Sequence, residues 1–528
     1  MDSKIAAYIK MPASDFRQFK KEYKNLFWWL GFFVVFTYGN RTIHDNIFLD
    51  SEIMILRPDS MQNVWIGSNR FGLTFISRLF GMSRLIPYIS CFLSAVFIWA
   101  NALALSFAVY GWCSKSRRYK IFLYLFPALF TTAPVFAEQY HFVLQAFEIS
   151  FAILLCILSV ICITRAVYQK ERIWLIPGIP LMVWAFGAYQ SMVPLYICLV
   201  LLSFLLFYMN QDSRYALSQG IAHVILFLAG AALYGIMAAV IKSVLDIHSS
   251  YISSLVRWGT DDWKTCVLGI WEELKCVLLA RKPVFYSRLY LPCMCLVVLQ
   301  AMWYGWKRKT KGTDYFCFLL AGGLFLISPF FLTVILGCMQ QTRSQLVYPV
   351  TAACVLSHLT VLPPEEIGKK WKKGLAGLFA AVGLFALSRN ALTTAQLFQT
   401  AWEAYRNDVM TAASIYEDIR LVADRPDMSN CLVIFTGGRG ARFGGPVVTG
   451  DLIGMSLFDA EAHSPTGVSG HVDSLFVILG LELKIMTAEQ EDLYRQAIEY
   501  MRDAPDWPAQ GSVRKMGDIV VVRLSQSP

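Results

Sequence analysis

The sequence predicts an α-helical polytopic membrane protein of about eleven spans, followed by a small extracytoplasmic α/β domain. Three observations predict it. The 528-residue chain is 56% hydrophobic and only 16% charged, against roughly 25% charged in a typical soluble protein. Apolar runs of membrane-crossing length, about 20 residues, recur through most of the first 390 positions. Beyond them the composition becomes that of a soluble domain. The net charge of +10 is spread over short loops rather than gathered in a tail. Short loops are where orientation signals sit, so nucleic acid is excluded as the expected partner and membrane lipid takes its place.

The runs fall at about 25–40, 87–112, 121–137, 142–164, 173–189, 191–209, 221–244, 288–306, 315–337, 345–362 and 374–389. Lys10, Arg17, Lys20, Lys21 and Lys24 precede the first, and no small-residue cleavage site follows it, so it reads as a retained span. The N-terminal segment and the turns 115–120 (KSRRYK), 165–172 (RAVYQKER), 307–311 (KRKTK) and 369–373 (KKWKK) are basic and share one side. By the positive-inside rule that side is the cytoplasm. The turn at 210–219 supplies only Arg214, whereas the opposite tips EQYH (138–141) and YQS (189–191) carry no lysine or arginine. An odd number of spans then places loops 41–86 and 245–287, and everything after 390, outside. The expected division is a transmembrane domain at 1–389 and an extracytoplasmic domain at 390–528 in a cell membrane.

In loop 245–287 the Trp, Leu and Val residues recur at helical intervals, which suggests one or two helices in the membrane interface. Asp261 and Asp262 before Trp263 are acid/base candidates, with a helix N-cap as the plainer reading. Most of the thirteen cysteines sit in or beside apolar runs as small hydrophobes. Cys266 and Cys276 share one loop and are the candidates for a disulfide. In the tail, 391–423 reads as a helix continuing the last span, CLVIFTG (431–437) as a buried strand and 488–502 as a one-faced helix. VRKMGDIVVVRL (513–524) reads as a hairpin turning at Met516-Gly517-Asp518.

The stretch NRTIHDNIFLDSEIMILRPDSMQNVWIGSNR (40–70) gathers Asp45, Asp50, Glu52 and Asp59 with Arg41, Arg57 and Arg70 at a membrane surface. If 45–56 is helical, Asp45 and Glu52 share a face and Asp50 points away. A carboxyl beside Ile47, Phe48, Ile53 and Met54 tends toward a raised pKa, which suits a general base. The arginines offer forked donors to a phosphate. A solvated loop whose charges pair with one another and with headgroups is the plainer reading. Glu148, two turns into the fourth run, is an ionisable group at a costly depth, with an interhelical contact as its alternative. Glu138, His141, Tyr189, Gln190 and Arg343 also fall at outer helix ends. TGGRGARFGG (436–445) could cradle an anion, but it matches no nucleotide-binding motif and reads better as a loop. There is no G-x-S-x-G, H-E-x-x-H or C-x-x-C. The residues require no cofactor and leave room for a divalent metal.

His44-Asp45-Asn46, Trp65-Ile-Gly-Ser-Asn-Arg70-Phe-Gly72, PVFAEQYHFVLQAFEIS (134–150), AYQSMVPLY (188–196), RSQLVYP (343–349), VVTGDLIGMSLFDAE (447–461) and HVDSLFVILG (471–480) together resemble the GtrII-like membrane glucosyltransferases of bacteria. These polytopic enzymes are related in architecture to the GT-C class. The resemblance implies transfer of a hexose, glucose in the first instance, from a polyprenyl-phosphate donor to a cell-surface glycan on the outer face. It assigns Asp45 as base with Glu52 or Asp50 assisting, and Arg70, Arg57 and Arg343 to the donor phosphate. Trp65, Glu138, Tyr140, His141, Glu148, Tyr189 and Gln190 are the candidate substrate contacts. The family often shows two adjacent acids where this chain has His44-Asp45, and a glycine where it has Asn69. A flippase of lipid-linked saccharide and a non-catalytic envelope scaffold are the alternative functions.

Overall fold

The computed structural model describes residues 15–113, 116–210, 213–247, 249, 254–308, 312–361, 369–424, 428–462, 468–485 and 491–525. Every apolar run predicted as a span carries helix. In order these are α1 (Lys24–Ile43), α5 (Pro87–Trp112), α6 (Lys120–Thr131) with α7 (Val135–His141), α8 (Ala146–Tyr168), α9 (Leu175–Ala188) and α10 (Met192–Asn210). They continue with α11 (Ser213–Val244), α13 (Tyr290–Arg308), α14 (Gly312–Ile327) with α15 (Phe331–Leu336), α16 (Tyr348–His358) and α17 (Lys369–Ala423). Three short helices, α2 (Ser51–Leu56), α3 (Pro58–Gly67) and α4 (Phe71–Leu79), fill the loop after α1, and α12 (Trp263–Leu278) lies in the second long loop.

The expected eleven spans are not all matched by length. Six helices among the described residues are long and apolar enough to cross a membrane, or seven if the pair α6 and α7, bent by 43°, is one span. Two of the unmatched runs fall short in helix length: α9 and α16 have 14 and 11 residues, below the roughly 20 needed to cross at 1.5 Å per residue, whereas α1 has 20 residues but is less apolar at its ends. Residues 309–311 of the basic turn, and 488–490 of the expected tail helix, lie outside the described residues.

α8 is apolar on every side and accordingly sits inside the bundle rather than at its rim. Its few polar groups bond to neighbouring helices: Asn101 donates to the Ser150 carbonyl at 2.9 Å, and Ser159 to the Gly178 carbonyl at 2.7 Å. In lipid such bonds and close packing, not water exclusion, hold helices together. At the rim, Trp28, Phe32, Ile225, Leu299 and Phe385 are all exposed, as a lipid-facing surface requires. The 115–120 and 165–172 turns both meet the end of α10. Tyr168 stacks on Phe207 at 4.2 Å, and Asn210 donates to the Tyr119 hydroxyl at 3.1 Å.

α17 is a single helix of 55 residues, about 80 Å long, which matches the expected continuation of the last span. Leu387, Ala391, Leu397 and Phe398 pack in the bundle core, and Ala412, Ile415, Ile419 and Ala423 in a second core. That second core covers a four-stranded sheet of order β2-β1-β4-β3, built from β1 (Leu432–Thr436), β2 (Lys484–Ile485), β3 (Val513–Met516) and β4 (Ile519–Arg523). β1 pairs in parallel with β2 and β4, and β3 with β4 antiparallel around Gly517 at φ +61°. Strand alternation divides β1 between two layers. Val433 and Phe435 face α17 and α18 (Ser469–Ile478), while Ile434 faces α19 (Glu491–Tyr500).

The seam between sheet and bundle is polar and specific. Glu138 Oε1 accepts the backbone N–H groups of Asp451 at 2.7 Å, Leu452 at 3.3 Å and Ile453 at 3.4 Å. A Cβ on Gly450 would lie 1.8 Å from that oxygen, so the turn needs glycine there. Asp451 in turn meets Lys282 Nζ at 2.6 Å and accepts from Thr342 at 2.5 Å. Glu138→Ala is expected to leave three donors unpaired and loosen the seam by roughly 1–3 kcal/mol, read as faster proteolytic release of residues beyond α17.

Candidate active site

The 40–70 stretch folds unlike the single helix considered over 45–56. α1 ends at Ile43, residues 44–48 run without helix, and α2 starts only at Ser51. Asp50 stands at its N-cap with φ +64°, a conformation rare for a residue with a Cβ. The shared face of Asp45 and Glu52 therefore does not form. Phe48 is buried in the sheet-side core and lies 4.5 Å from the His141 ring, pinning this segment between bundle and tail.

The WIGSNR segment closes α3 by a Schellman motif. Asn69 N–H bonds to the Ile66 carbonyl at 3.0 Å, and Arg70 N–H to the Trp65 carbonyl at 2.7 Å. Asn69 takes φ +58°, so the position at which the family favours glycine is a left-handed one that asparagine also tolerates. α4 then packs against the end of α9 with no room to spare. A Cβ on Gly72 would lie 2.6 Å from the Ala188 nitrogen. This packing delivers Arg70 to the α9–α10 turn: its Nε donates to Gln190 Oε1 at 3.1 Å and its guanidinium lies 4.9 Å from the Tyr189 ring centre. Gln190 donates to the Ser68 carbonyl at 2.7 Å and so is itself held.

Beside these residues opens a cavity of about 690 Å³, walled by the 50–70 stretch, residues 142–145, Tyr189 and the 336–344 segment. Asp50, Trp65, Arg70, Tyr189 and Arg343 all line it. Arg343 lies 4.2 Å over the Phe142 ring centre, and Tyr189 Oη is 3.4 Å from Ser344 Oγ. The 340–345 segment is anchored by buried Glu273 of α12, which accepts from Gln345 at 2.5 Å and from the Gln340 N–H at 3.3 Å. Burial raises the Glu273 carboxyl above the usual range. Burial also raises Asp50, with the neighbouring Glu52 adding to it and Arg343 and His471 opposing it. A carboxyl poised in this way beside guanidinium groups can take a proton while the cations hold an anion.

The remaining predicted residues lie elsewhere. Asp45 is exposed past the end of α1, near Arg41 and Tyr405, and Arg57 is exposed between α2 and α3. Glu52 is fully buried and turned toward the tail, where its Oε1 lies 2.5 Å from His471 Nδ1. Glu138 serves the seam. Tyr140 packs among Tyr38 and Phe136, and buried His141 makes no hydrogen bond among the described residues. Glu148 accepts from Ser77 at 2.7 Å, which fits its interhelical alternative. Arg439 is held by Trp507, whose carbonyl it reaches at 3.0 Å, so the 436–445 stretch behaves as a loop.

The candidate disulfide does not form. Cys266 and Cys276 are both free, since they sit ten residues apart on one helix, about 15 Å along its axis. Asp262 occupies the N-cap of α12, as its plainer reading has it, though without a side-chain capping bond. Trp263, Leu268 and Trp271 of α12 are exposed while Glu273 is buried, as an interfacial helix would place them. Glu273 and His471 were not singled out in the sequence. Glu273 falls on the inward face of an amphipathic helix, a signal its pattern held; His471 opens the motif HVDSLFVILG, which carried the family resemblance but assigned it no role. Among the described residues no group of three or more His, Cys, Asp or Glu is placed to hold a metal ion.

These features define a membrane-embedded helical protein with a charged cavity at one end of its bundle. The model of the glucosyl transferase GtrII family matches residues 42–360, more than half of the chain, and the protein belongs to that family. It is therefore a glycosyltransferase, acting between a sugar donor and an acceptor. All the cavity-lining residues named above fall within the matched stretch, and the sheet falls beyond it. No curated protein matches the chain.

Proposed function

We propose that the cavity transfers a glucosyl unit from a polyprenyl-phosphate donor to a cell-surface glycan on the outer face of the membrane. The observation that carries this reading is that Asp50, Arg70 and Arg343 line one cavity. Asp50 takes the proton of an acceptor hydroxyl as its oxygen bonds to the anomeric carbon. The bond from that carbon to the donor phosphate breaks, and its electron pair leaves on the phosphate. Arg70 and Arg343 stabilise the charge that develops there, while Trp65 and Tyr189 offer faces to the sugar. A direct displacement of this kind inverts the anomeric centre, as the family resemblance implies. The basic end of the bundle then faces the cytoplasm, and residues beyond α17 stand outside with the cavity. A lipid-linked donor suits that face, where nucleotide sugars are not supplied.

The test is product balance. Mixing the purified protein with polyprenyl-phosphate-glucose and acceptor glycan should release one free polyprenyl phosphate per glucose incorporated. Movement of the donor across the bilayer with no release of lipid phosphate would make the protein a flippase instead.

A further inference from the structure

The acid at the cavity wall is held in place from the far end of the chain. Glu52 Oε1 accepts the Asp50 backbone N–H at 3.3 Å and lies 2.5 Å from His471 Nδ1. The imidazole's other nitrogen lies 3.5 Å from Glu461 Oε2. Glu52 is fully buried, His471 is nearly so, and Glu461 is exposed, so the three form a line from solvent to the backbone of Asp50. Asp50 holds φ +64°, a conformation that persists only where surrounding bonds impose it. His471 belongs to α18, outside the stretch that the family model covers.

We propose that His471 is a positioning residue for glycosyl transfer: the docked C-terminal unit sets its imidazole on Glu52, which fixes the Asp50 backbone so that the acid stays on the cavity wall. This makes the C-terminal unit part of the active site, and it rests on the reading of Asp50 as the base. Glu138, Asp451, Lys282 and Phe48 already dock the unit without adding charge beside Asp50. The charged groups facing His471 are Glu52, Glu461 and Asp50, and those facing Asp50 are Glu52, His471, Arg343 and Glu461. Burial pulls the His471 imidazole down, but the bond and charge of Glu52, with Glu461 and Asp50, outweigh it and leave it raised. The resulting positive charge holds the Asp50 carboxyl lower than burial and Glu52 alone would. Without it, the acid limb of the pH–rate profile moves up.

The experiment compares full-length wild-type protein, His471→Ala, His471→Asn and Asp50→Asn in lipid nanodiscs, with polyprenyl-phosphate-glucose as donor. Asparagine keeps a donor near the Nδ1 position but not the charge. His471→Ala should lower kcat by roughly 10- to 100-fold, leave the donor KM within about two-fold, and raise the acid limb by about one pH unit. His471→Asn should recover most of kcat and keep the shifted limb. Should the alanine variant fail to fold, the asparagine variant alone decides by its limb. An unmoved limb in His471→Asn, or wild-type kcat in His471→Ala, overturns the proposal while an inactive Asp50→Asn leaves the base reading standing. Full activity in Asp50→Asn overturns the base reading and this inference with it.

Discussion

Asp50→Asn is expected to reduce glucosyl transfer by about 10²- to 10⁴-fold, the range that a positioned general base contributes. Donor binding should be little changed, because the amide keeps the shape of the cavity wall. The pH dependence gives an independent reading. Asp50 accepts a proton only as its carboxylate, and burial with the nearby Glu52 charge raises its pKa above the usual aspartate range. Activity should therefore fall as pH drops through a value above that range. Asp45→Asn in the same assay is expected to stay within a few-fold of wild type, since Asp45 is exposed and outside the cavity wall. The reverse pair of results would return the base to Asp45.

Arg70→Ala is expected to cost about 10²- to 10³-fold in kcat, as removal of one preorganised donor to developing charge does. Arg70→Lys should recover little of it. The guanidinium both lies over Tyr189 and bonds Gln190, and a lysine amine cannot keep the planar fork. Arg343→Ala removes the second cation and should act in the same direction. Wild-type kcat in the Arg70 and Arg343 variants together would remove the phosphate clamp from the mechanism.

Much of this architecture was legible because it is written in short-range pattern. Apolar runs marked helices, the 431–437 run marked a buried strand, and Met516-Gly517-Asp518 marked a hairpin, since periodicity and turn chemistry are local. Span length was less legible. Hydropathy does not say where Pro134 and its neighbours break α6 from α7, or that α16 stops at His358. The charge density of 40–70 pointed to a stretch that lines the cavity, but helical spacing could not rank its acids. That ranking turned on a left-handed Asp50 and on a non-helical segment before it. Glu148 stood out as an acid at a costly depth and is indeed buried, and Glu138, read only as lying at an outer helix end, is buried as well. Their partners are the backbone of Asp451–Ile453 and the Ser77 hydroxyl, which no local pattern names.

The sequence by itself determined the helical membrane class, the position of the charged loop, the family motifs and three of the four strands of the tail. Each rests on residues near one another in the chain. Only the tertiary structure decided which charges share a cavity. Arg70 meets Gln190, 120 positions away, because Gly72 lets α4 approach the backbone of α9. Glu52 meets His471, 419 positions away, because the tail folds back onto the loop after α1. Distances of that kind are set by packing, and packing is a property of the whole chain.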